Sequence, residues 1–235
     1  MRQNAKKEFV ETAQPVQEPA SGTVLIDACP RILGPYSVTG KRLFDIAVAG
    51  LVSIVLAPIG LIVAAAIYFN NRSAPILFKQ TRVGQWGKPF TMYKFRTMNP
   101  DRRGDYLGEE DFDGSDRRLT HKTEKDPRHT GLGLLLRKSS LDELPQLINV
   151  LTGDMSLVGP RPEILSVAER HNIRSHARHM VRPGITGLWQ ISELRSELLH
   201  ENVHIDLDYV SKVTFLEDIR ILFATVGAVI SSRTK

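Results

Sequence analysis

Hydrophobic residues are concentrated in one long run near the beginning of the chain, from Leu43 to Phe69. Between Ile46 and Phe69 no side chain is charged, and this length is close to the ~20 apolar residues that a bilayer-crossing helix needs. Pro58 lies at the centre of the run, where a proline removes a backbone donor and clashes with the preceding turn. The pattern predicts a membrane-associated helix and disfavours the buried core helix of a soluble protein.

Basic residues flank the run on both sides, with Lys41 and Arg42 before it and Arg72 after it. Because positive charge marks the cytoplasmic side of short flanking segments, neither end is predicted to be exported. A helix that enters the membrane, breaks at Pro58 and returns satisfies both observations, so we expect a re-entrant membrane helix over residues 39–72. A spanning helix with a proline kink is the alternative.

The hydrophobic pattern divides the rest of the chain into a tail and a domain. Residues 1–38 are rich in Gln, Glu, Pro, Ala and Ser, the composition of a largely disordered cytoplasmic tail. Residues 73–235 predict a compact cytoplasmic domain that ends in an interfacial helix. Within it, residues 99–130 are dense in charges of both signs and are expected to form a solvated loop.

One hairpin and one short helix are predicted in the first half of this domain. Residues 76–98 alternate around Gly84 and Gly87, which is typical of a β-hairpin. Its expected packing positions are Phe78, Val83, Phe90, Met92 and Phe95. Helical spacing then predicts a helix that ends at Gly153. Its expected apolar face consists of Leu144, Leu147, Ile148 and Leu151.

Three later segments complete the predicted architecture. Residues 164–180 are expected to form a polar helix with exposed histidines at positions 171, 176 and 179. Residues 181–191 predict a turn that runs into a short strand. Residues 206–232 have an apolar face and a short uncharged run, which suit a helix lying in the membrane interface. The predicted fold class is mainly α with a short β-hairpin, in a monotopic membrane protein.

The net charge narrows the choice of partner. A formal net charge of +5 and a pI near 9.4 suit the anionic lipids of a cytoplasmic leaflet. They would also suit nucleic acid, but the charges are spread and no nucleic-acid module is recognisable, so we expect no nucleic-acid partner. The single cysteine, Cys29, excludes an internal disulfide. The first apolar run begins after a polar stretch, which disfavours a signal peptide.

Asp142 and Glu143 form the sharpest cluster of candidate catalytic residues, in the stretch RKSSLDELPQL. Adjacent carboxylates could hold a divalent cation or supply a nucleophile beside an acid–base partner. Ser140 and Glu143 also have the spacing of a capping box, and Asp142 could cap the helix that follows. On this pair alone, the structural role is the favoured interpretation.

Arg161 is the best-placed cation, because Pro160 and Pro162 restrict its backbone on both sides. A fixed guanidinium is well suited to phosphate. Four further candidates for binding substrate phosphate lie on or beside predicted turns: Lys94, Arg96, Arg137 and Arg182. Together these cations could form an anion pocket or an ordinary basic surface.

Several long motifs occur together in a fixed order. They are KRLFDIAVAG, FKQTRVGQWGKPFTMYKFRTM, RKSSLDELPQLINVLTGDMSLVGPRPE, VRPGITGLWQI and DLDYV. In this order they closely resemble the bacterial sugar transferase family, whose members are small monotopic polyprenyl-phosphate sugar-1-phosphate transferases that begin exopolysaccharide and glycan assembly. The resemblance extends over about residues 40–232.

The resemblance implies an enzyme at the cytoplasmic face of the bacterial inner membrane. A sugar-1-phosphate would pass from a nucleoside diphosphate sugar, expected to be a UDP-hexose, to undecaprenyl phosphate, with release of UMP. The implied cofactor is Mg²⁺, and the implied partners are the two substrates and membrane lipid. The family's dyad falls on Asp142, as the nucleophile that forms an acyl-phosphate, and on Glu143; both would be metal ligands. Its PGxTGxxQ segment implies a nucleotide-sugar region at Gly184, Thr186, Gly187 and Gln190.

The chain departs from the family pattern at the predicted membrane break. Many family members have Ser-Pro at the membrane break where this chain has Ala57-Pro58, so a hydroxyl that could satisfy a freed carbonyl is missing. The alternative function is a non-catalytic, membrane-anchored scaffold of a polysaccharide export complex. The sequence leaves open which sugar is moved and the exact role of Glu143. It also leaves open the oligomeric state, for which a homodimer is a reasonable expectation.

Overall fold

A computed structural model of the protein describes residues 36–99, 129–193, 199 and 202–232. The predictions for the tail up to residue 35 and for most of the charged loop lie outside these residues. The helices, in chain order, are α1 (Lys41–Asn70), α2 (Gly131–Lys138), α3 (Gln146–Thr152), α4 (Leu165–Arg170), α5 (Leu188–Ile191), α6 (Val203–Ser211) and α7 (Phe215–Ser232). The strands are β1 (Leu77–Val83), β2 (Pro89–Phe95), β3 (Ser156–Val158) and β4 (Gly184–Thr186). The fold is mainly helical, as predicted.

The predicted hairpin is confirmed as the antiparallel pair β1–β2. Gly87, in the connection, has a φ of +71° and lies so close to Arg174 that a Cβ there would be 2.8 Å from the Arg174 carbonyl oxygen. Only glycine suits both conditions. Three of the expected packing positions are buried (Val83, Met92 and Phe95), and Phe90 packs partly against the main core.

The long apolar run forms α1, which continues as a helix through Pro58. Among the described residues, α1 is the one helix that is long and apolar enough to cross a membrane. Its two ends pack against the same folded body: Ala49 lies in the main core, whereas Val63 and Ile67 lie in a second cluster with Phe95. The large side chains between these ends are exposed (Ile54, Val55, Ile59, Leu61 and Ile62).

A parallel pairing of β3 with β4 lies at the centre of the main core and was not predicted. Gly159, directly after β3, approaches Gly184 and Gly187 so closely that a side chain on any of the three would overlap the facing backbone. The Asp45 carboxylate of α1 accepts hydrogen bonds from the backbone N–H of Leu157 and from the Ser156 hydroxyl. Helix α1 is thereby fixed to the centre of the core.

The predicted polar helix over residues 164–180 is wrong as a single element. The chain forms α4, turns at Asn172 with a φ of +54°, and then forms a short 3₁₀ helix, Ala177–Met180. His179 was predicted to be exposed but is buried, and burial lowers the pKa of its imidazole to about 3. The segment that was expected to end in a strand instead has β4 first and the helical turn α5 after it.

The predicted apolar face of the short helix is also partly wrong. Leu147 is buried, but Ile148 and Leu151 are 48% and 40% exposed. Asn149 is instead fully buried and bonds to the edge of β2, accepting from the Tyr93 N–H and donating to the Thr91 carbonyl. Because Asn149 forms hydrogen bonds with backbone groups at the edge of β2, α3 turns a different face to the core from the one that its apolar spacing predicts.

The predicted C-terminal helix is two helices, α6 and α7, joined to the start of α1 by one buried carboxylate. Asp218 of α7 accepts from Lys41 at 2.6 Å and from the hydroxyls of Tyr36 and Tyr209, both at 2.7 Å. Its side chain is fully buried. The outer face of α7 carries exposed apolar residues, including Leu216 and Phe223.

Candidate active site

A large cleft of about 1210 Å³ runs between the hairpin, the turn before α3, and helices α1 and α7. Its polar lining includes Asp142, Glu143, Lys94, Arg161 and Gln190. Its apolar lining comes from α1, α7 and the core, with Val48, Val52, Leu147, Leu222 and Val226 among the residues. Charged groups and a hydrophobic wall are therefore parts of one space.

The dyad is presented by a tight turn rather than by a helix start. Ser140 adopts a left-handed conformation with a φ of +56°, and the chain then forms a short 3₁₀ turn, Leu141–Glu143. The Ser140 side chain makes no capping hydrogen bond, and no side chain caps α3, which begins after Pro145. The capping interpretation of this pair is therefore wrong, and both carboxylates are available for chemistry.

Glu143 forms an ion pair with Lys94, whose Nζ lies 2.6 Å from Oε1. Burial acts to raise the pKa of Glu143, but the charges of Lys94 and Arg161, with hydrogen bonds from Lys94 and Gln146, outweigh it. The pKa of Glu143 therefore lies below its ordinary value, and this group stays ionised at neutral pH.

Asp142 is in the opposite situation, although it is the next residue along the chain. Its side chain is buried, and burial is the main cause that raises its pKa above the ordinary value. The neighbouring charge of Glu143 raises the pKa further, while Lys94 and Arg137 lower it without reversing the shift. Two adjacent carboxylates with pKa values driven apart are typical of sites in which the two groups have different tasks.

Arg161 reaches the cleft from the turn after β3, and two contacts fix it. Its guanidinium carbon lies 5.3 Å from the ring centre of the buried Trp189. Its carbonyl oxygen accepts from Nη2 of Arg178 at 2.6 Å. Arg178 is fully buried and is itself held by Asp206, whose Oδ2 lies 2.6 Å from Nη2. Both the side chain and the backbone of Arg161 are therefore positioned before any substrate binds.

The other three predicted arginines differ in their positions and hydrogen-bond partners. Arg96 and Arg137 both line the cleft, but Arg96 donates to the carbonyls of Ile67, Asn71 and Pro75 at the end of α1. Arg137 lies 2.7 Å from the imidazole of His129. Arg182 is not brought to the cleft lining: its Nε donates to the carbonyl of Gly153, at the end of α3.

The predicted nucleotide-sugar region divides into structural and cleft-lining residues. Gly184 and Gly187 serve the close crossing with Gly159 and offer no side chain to a substrate. Thr186 lines the cleft but shares a hydrogen bond of 2.6 Å with Thr225 of α7. Gln190 lines the cleft, and neither its amide oxygen nor its amide nitrogen has a partner within the described structure.

Comparison with known proteins identifies this arrangement. The family model for the bacterial sugar transferase matches residues 36–232. The chain belongs to the bacterial sugar transferase family. This confirms the expected polyprenyl-phosphate sugar-1-phosphate transferase at the level of the family, and with it the expectation of an enzyme.

Individual relatives of this sugar transferase have names that fit the family. Exopolysaccharide production protein ExoY of Sinorhizobium fredii is 39% identical over 204 residues, which cover 85% of this chain and 89% of that protein. The UDP-glucose:undecaprenyl-phosphate glucose-1-phosphate transferase of Escherichia coli is 39% identical over 194 residues, covering 79% of this chain but 39% of that protein. A protein of the same name in Caulobacter vibrioides is 38% identical, covering 82% of this chain and 70% of its own length.

Sequence reasoning missed the residues that hold the site of the sugar transferase together. Trp189, Arg178 and Asp206 position Arg161, and Asn149 holds the dyad segment against β2. Asp206 lies in the DLDYV motif and Trp189 in VRPGITGLWQI, so the motifs contained both residues. Their partners are far apart in sequence, and spacing alone could not pair them.

The dyad of the sugar transferase also suits a divalent cation. Magnesium is usually bound by one or two carboxylates together with water and substrate phosphates. Asp142 and Glu143 offer two carboxylates at the wall of a cleft large enough to admit phosphates. Within the residues that the structure describes, no group of three His, Cys, Asp or Glu side chains could form a complete metal cage. The donor set therefore fits Mg²⁺ that is bound jointly with a substrate phosphate.

Proposed function

We propose that this protein transfers a sugar-1-phosphate from a UDP-hexose to undecaprenyl phosphate, and that Asp142 carries the sugar-phosphate between the two substrates. The observation that supports this most strongly is the composition of the cleft. Asp142, Glu143, Lys94 and Arg161 line the same space as the apolar side chains of α1 and α7. A diphosphate needs the first set, and an isoprenoid chain that cannot leave the bilayer cheaply needs the second.

In the first step, a carboxylate oxygen of Asp142 bonds to the phosphorus that bears the sugar. The bond from this phosphorus to the bridging oxygen of the diphosphate breaks, and UMP leaves with the electron pair. Arg161, held against Trp189, is placed to balance the charge that develops on the phosphoryl oxygens. Asp142 must be ionised to attack, so its raised pKa makes it a reactive rather than a strongly stabilised carboxylate.

In the second step, a phosphate oxygen of the lipid bonds to the same phosphorus, and the bond to Asp142 breaks. The carboxylate is regenerated, and the product is polyprenyl-diphospho-sugar. One phosphoanhydride is exchanged for another, so no ATP is needed. Mg²⁺, with Asp142 and Glu143 as its protein ligands, would offset the negative charge of the two phosphates as they approach each other. Lys94 keeps Glu143 ionised and oriented towards the cleft.

The packing of the two ends of α1 supports a re-entrant path for this helix. No residue between 53 and 62 belongs to either hydrophobic cluster that holds the helix, whereas Val52 and Val63 do. Ten helical residues rise about 15 Å, roughly half of the ~30 Å hydrocarbon core. We therefore infer that residues 53–62 dip into one leaflet and that the folded body lies on the cytoplasmic face of the inner membrane.

The direct test is release of UMP from a panel of UDP-sugars, with and without polyprenyl phosphate. UDP-glucose is the first candidate, since several relatives are named for it. We expect sustained release that depends on both the lipid and Mg²⁺. A folded protein that binds these substrates but releases no UMP from any of them would favour a non-catalytic scaffold.

A further inference from the structure

One wall of the cleft carries chemistry that the two transfer steps do not use. Residues from both faces of β1 line the cleft, and Phe78, Gln80 and Arg82 share one of these faces because alternate residues of a strand point to the same side. In the hairpin register Phe78 lies opposite Lys94, which contacts the dyad through Glu143. Phe78 therefore lies one cross-strand pair from a side chain that contacts the dyad, and Gln80 follows on the same face of β1.

Phe78 is not packed as a core residue, contrary to the prediction. Its side chain is partly buried, but the hydrophobic clusters formed by the described residues do not include it. Val83, Met92 and Phe95 of the same hairpin all belong to those clusters. A phenyl ring on a cleft wall offers a flat surface of the kind on which nucleobases stack.

Gln80 presents hydrogen-bond donors in a fixed orientation. Nη2 of Arg82 donates to Oε1 of Gln80 at 2.6 Å, and Nη1 of Arg82 donates to the Pro162 carbonyl at 3.0 Å. A guanidinium has donors only, so the amide oxygen of Gln80 must face it. The amide nitrogen, with two N–H groups, therefore points to the other side.

We propose that Phe78 and Gln80 form the subsite for the pyrimidine base of the nucleotide sugar. The base would stack on Phe78, and a base carbonyl would accept from the amide nitrogen of Gln80. This inference rests on the proposed function, since it assumes a nucleotide-sugar donor. At ring position 4 uracil has a carbonyl oxygen and cytosine has an amino group, so a Gln80 donor directed to this position favours uridine over cytidine nucleotides.

The most selective variant is Gln80→Glu, because a carboxylate still accepts from Arg82 but has no N–H to donate. We expect the preference for UMP over CMP, measured as the ratio of their dissociation constants, to fall about tenfold or more. Phe78→Leu should raise the Kd of UMP and the KM of the UDP-sugar about tenfold, while the KM of polyprenyl phosphate stays unchanged. Tyr93→Leu, on the opposite face of the hairpin, is the matched control and should change none of these values.

Two results would overturn this subsite. One is equal weakening of UMP and CMP binding in Gln80→Glu, which would indicate simple charge repulsion. The other is an unchanged UMP affinity in Phe78→Leu. Failure of the proposed function would look different, because the wild-type protein would then release no UMP from any UDP-sugar.

Discussion

Asp142 and Glu143 are neighbours in the chain, yet their surroundings drive their pKa values in opposite directions. Burial raises the pKa of Asp142, whereas Lys94 and Arg161 hold that of Glu143 below its ordinary value. The 2.6 Å ion pair with Lys94, the charge of Arg161 and a hydrogen bond with Gln146 favour the ionised form of Glu143, whereas burial dominates at Asp142. For these two residues, the surroundings rather than the residue type determine the direction of the pKa shift.

Lys94→Met should move the acid limb of the pH profile to higher pH. The charge of Lys94 lowers the pKa of Asp142, so its removal lets burial raise that pKa further. In the proposed mechanism only ionised Asp142 attacks, so activity would then be lost at a higher pH as the solution is acidified. The measurement is kcat/KM against pH for wild type and variant at constant free Mg²⁺. An acid limb that is unmoved, or displaced to lower pH, would exclude Asp142 as the titrating nucleophile.

Arg161→Ala should remove a positioned phosphate contact while leaving both flanking prolines in place. We expect a loss of transition-state stabilisation of about 3 kcal/mol, the scale of one lost electrostatic donor. The measurement is kcat/KM for the UDP-sugar. Arg170→Ala, an exposed arginine at the end of α4, is the matched control. Near-normal turnover by folded Arg161→Ala would show that Arg161 makes no important contact with the substrate phosphate.

At the scale of elements, the sequence predicted best where local pattern decides the structure. The hairpin around Gly84 and Gly87 follows from alternation and turn chemistry, and α1 from its long apolar run. Prediction failed where contacts with residues distant in sequence determine the local structure. Asn149 turns α3 by bonding β2, and residues 164–180 break into two pieces around Asn172. The pairing of β3 with β4 rests on three residues in each strand and on glycine contacts that no periodicity reveals.

The same distinction applies to the candidate site. The sequence indicated Asp142, Glu143, Lys94 and Arg161, and the structure brings these four together. Arg182 was predicted on the same grounds as Lys94, but it donates to the Gly153 carbonyl at the end of α3 instead. Charge and position in a turn indicate that a cation is available, but only the folded chain determines which carbonyl or carboxylate it meets.

The path of α1 gives a prediction for this element. In a Cys29→Ser background, single cysteines introduced at residues 37 and 71 should both be shielded from membrane-impermeant reagents in intact cells. Both should react once the inner membrane is permeabilised, which serves as the control. Labelling of either position from outside would mean that α1 spans the bilayer.

At the scale of the whole molecule, Asp218 joins the beginning of α1 to the last two helices. This buried carboxylate accepts hydrogen bonds from Lys41, Tyr36 and Tyr209. Because α7 also forms part of the cleft wall through Leu222 and Val226, this junction connects the long apolar helix α1 with the shape of the site.

Lys41→Met should therefore destabilise the whole protein. Removing one partner of a buried ion pair leaves an uncompensated charge and costs about 3–5 kcal/mol. The double variant Lys41→Met/Asp218→Leu should recover part of this loss, since both charges are then absent. The measurement is the thermal midpoint of each variant in the same detergent. A single variant as stable as wild type would show that the junction is dispensable.

The proposed mechanism requires Asp142 to become covalently bonded to the sugar-phosphate. The most direct measurement is the intact mass of the protein after incubation with Mg²⁺ and its preferred UDP-sugar, without polyprenyl phosphate. We expect wild type to gain the mass of one sugar-phosphate and to lose it when polyprenyl phosphate is added. Asp142→Asn keeps the shape of the side chain but not its charge, so it should gain nothing and show turnover near background. A sugar-phosphate adduct on Asp142→Asn, or substantial turnover by it, would contradict the claim.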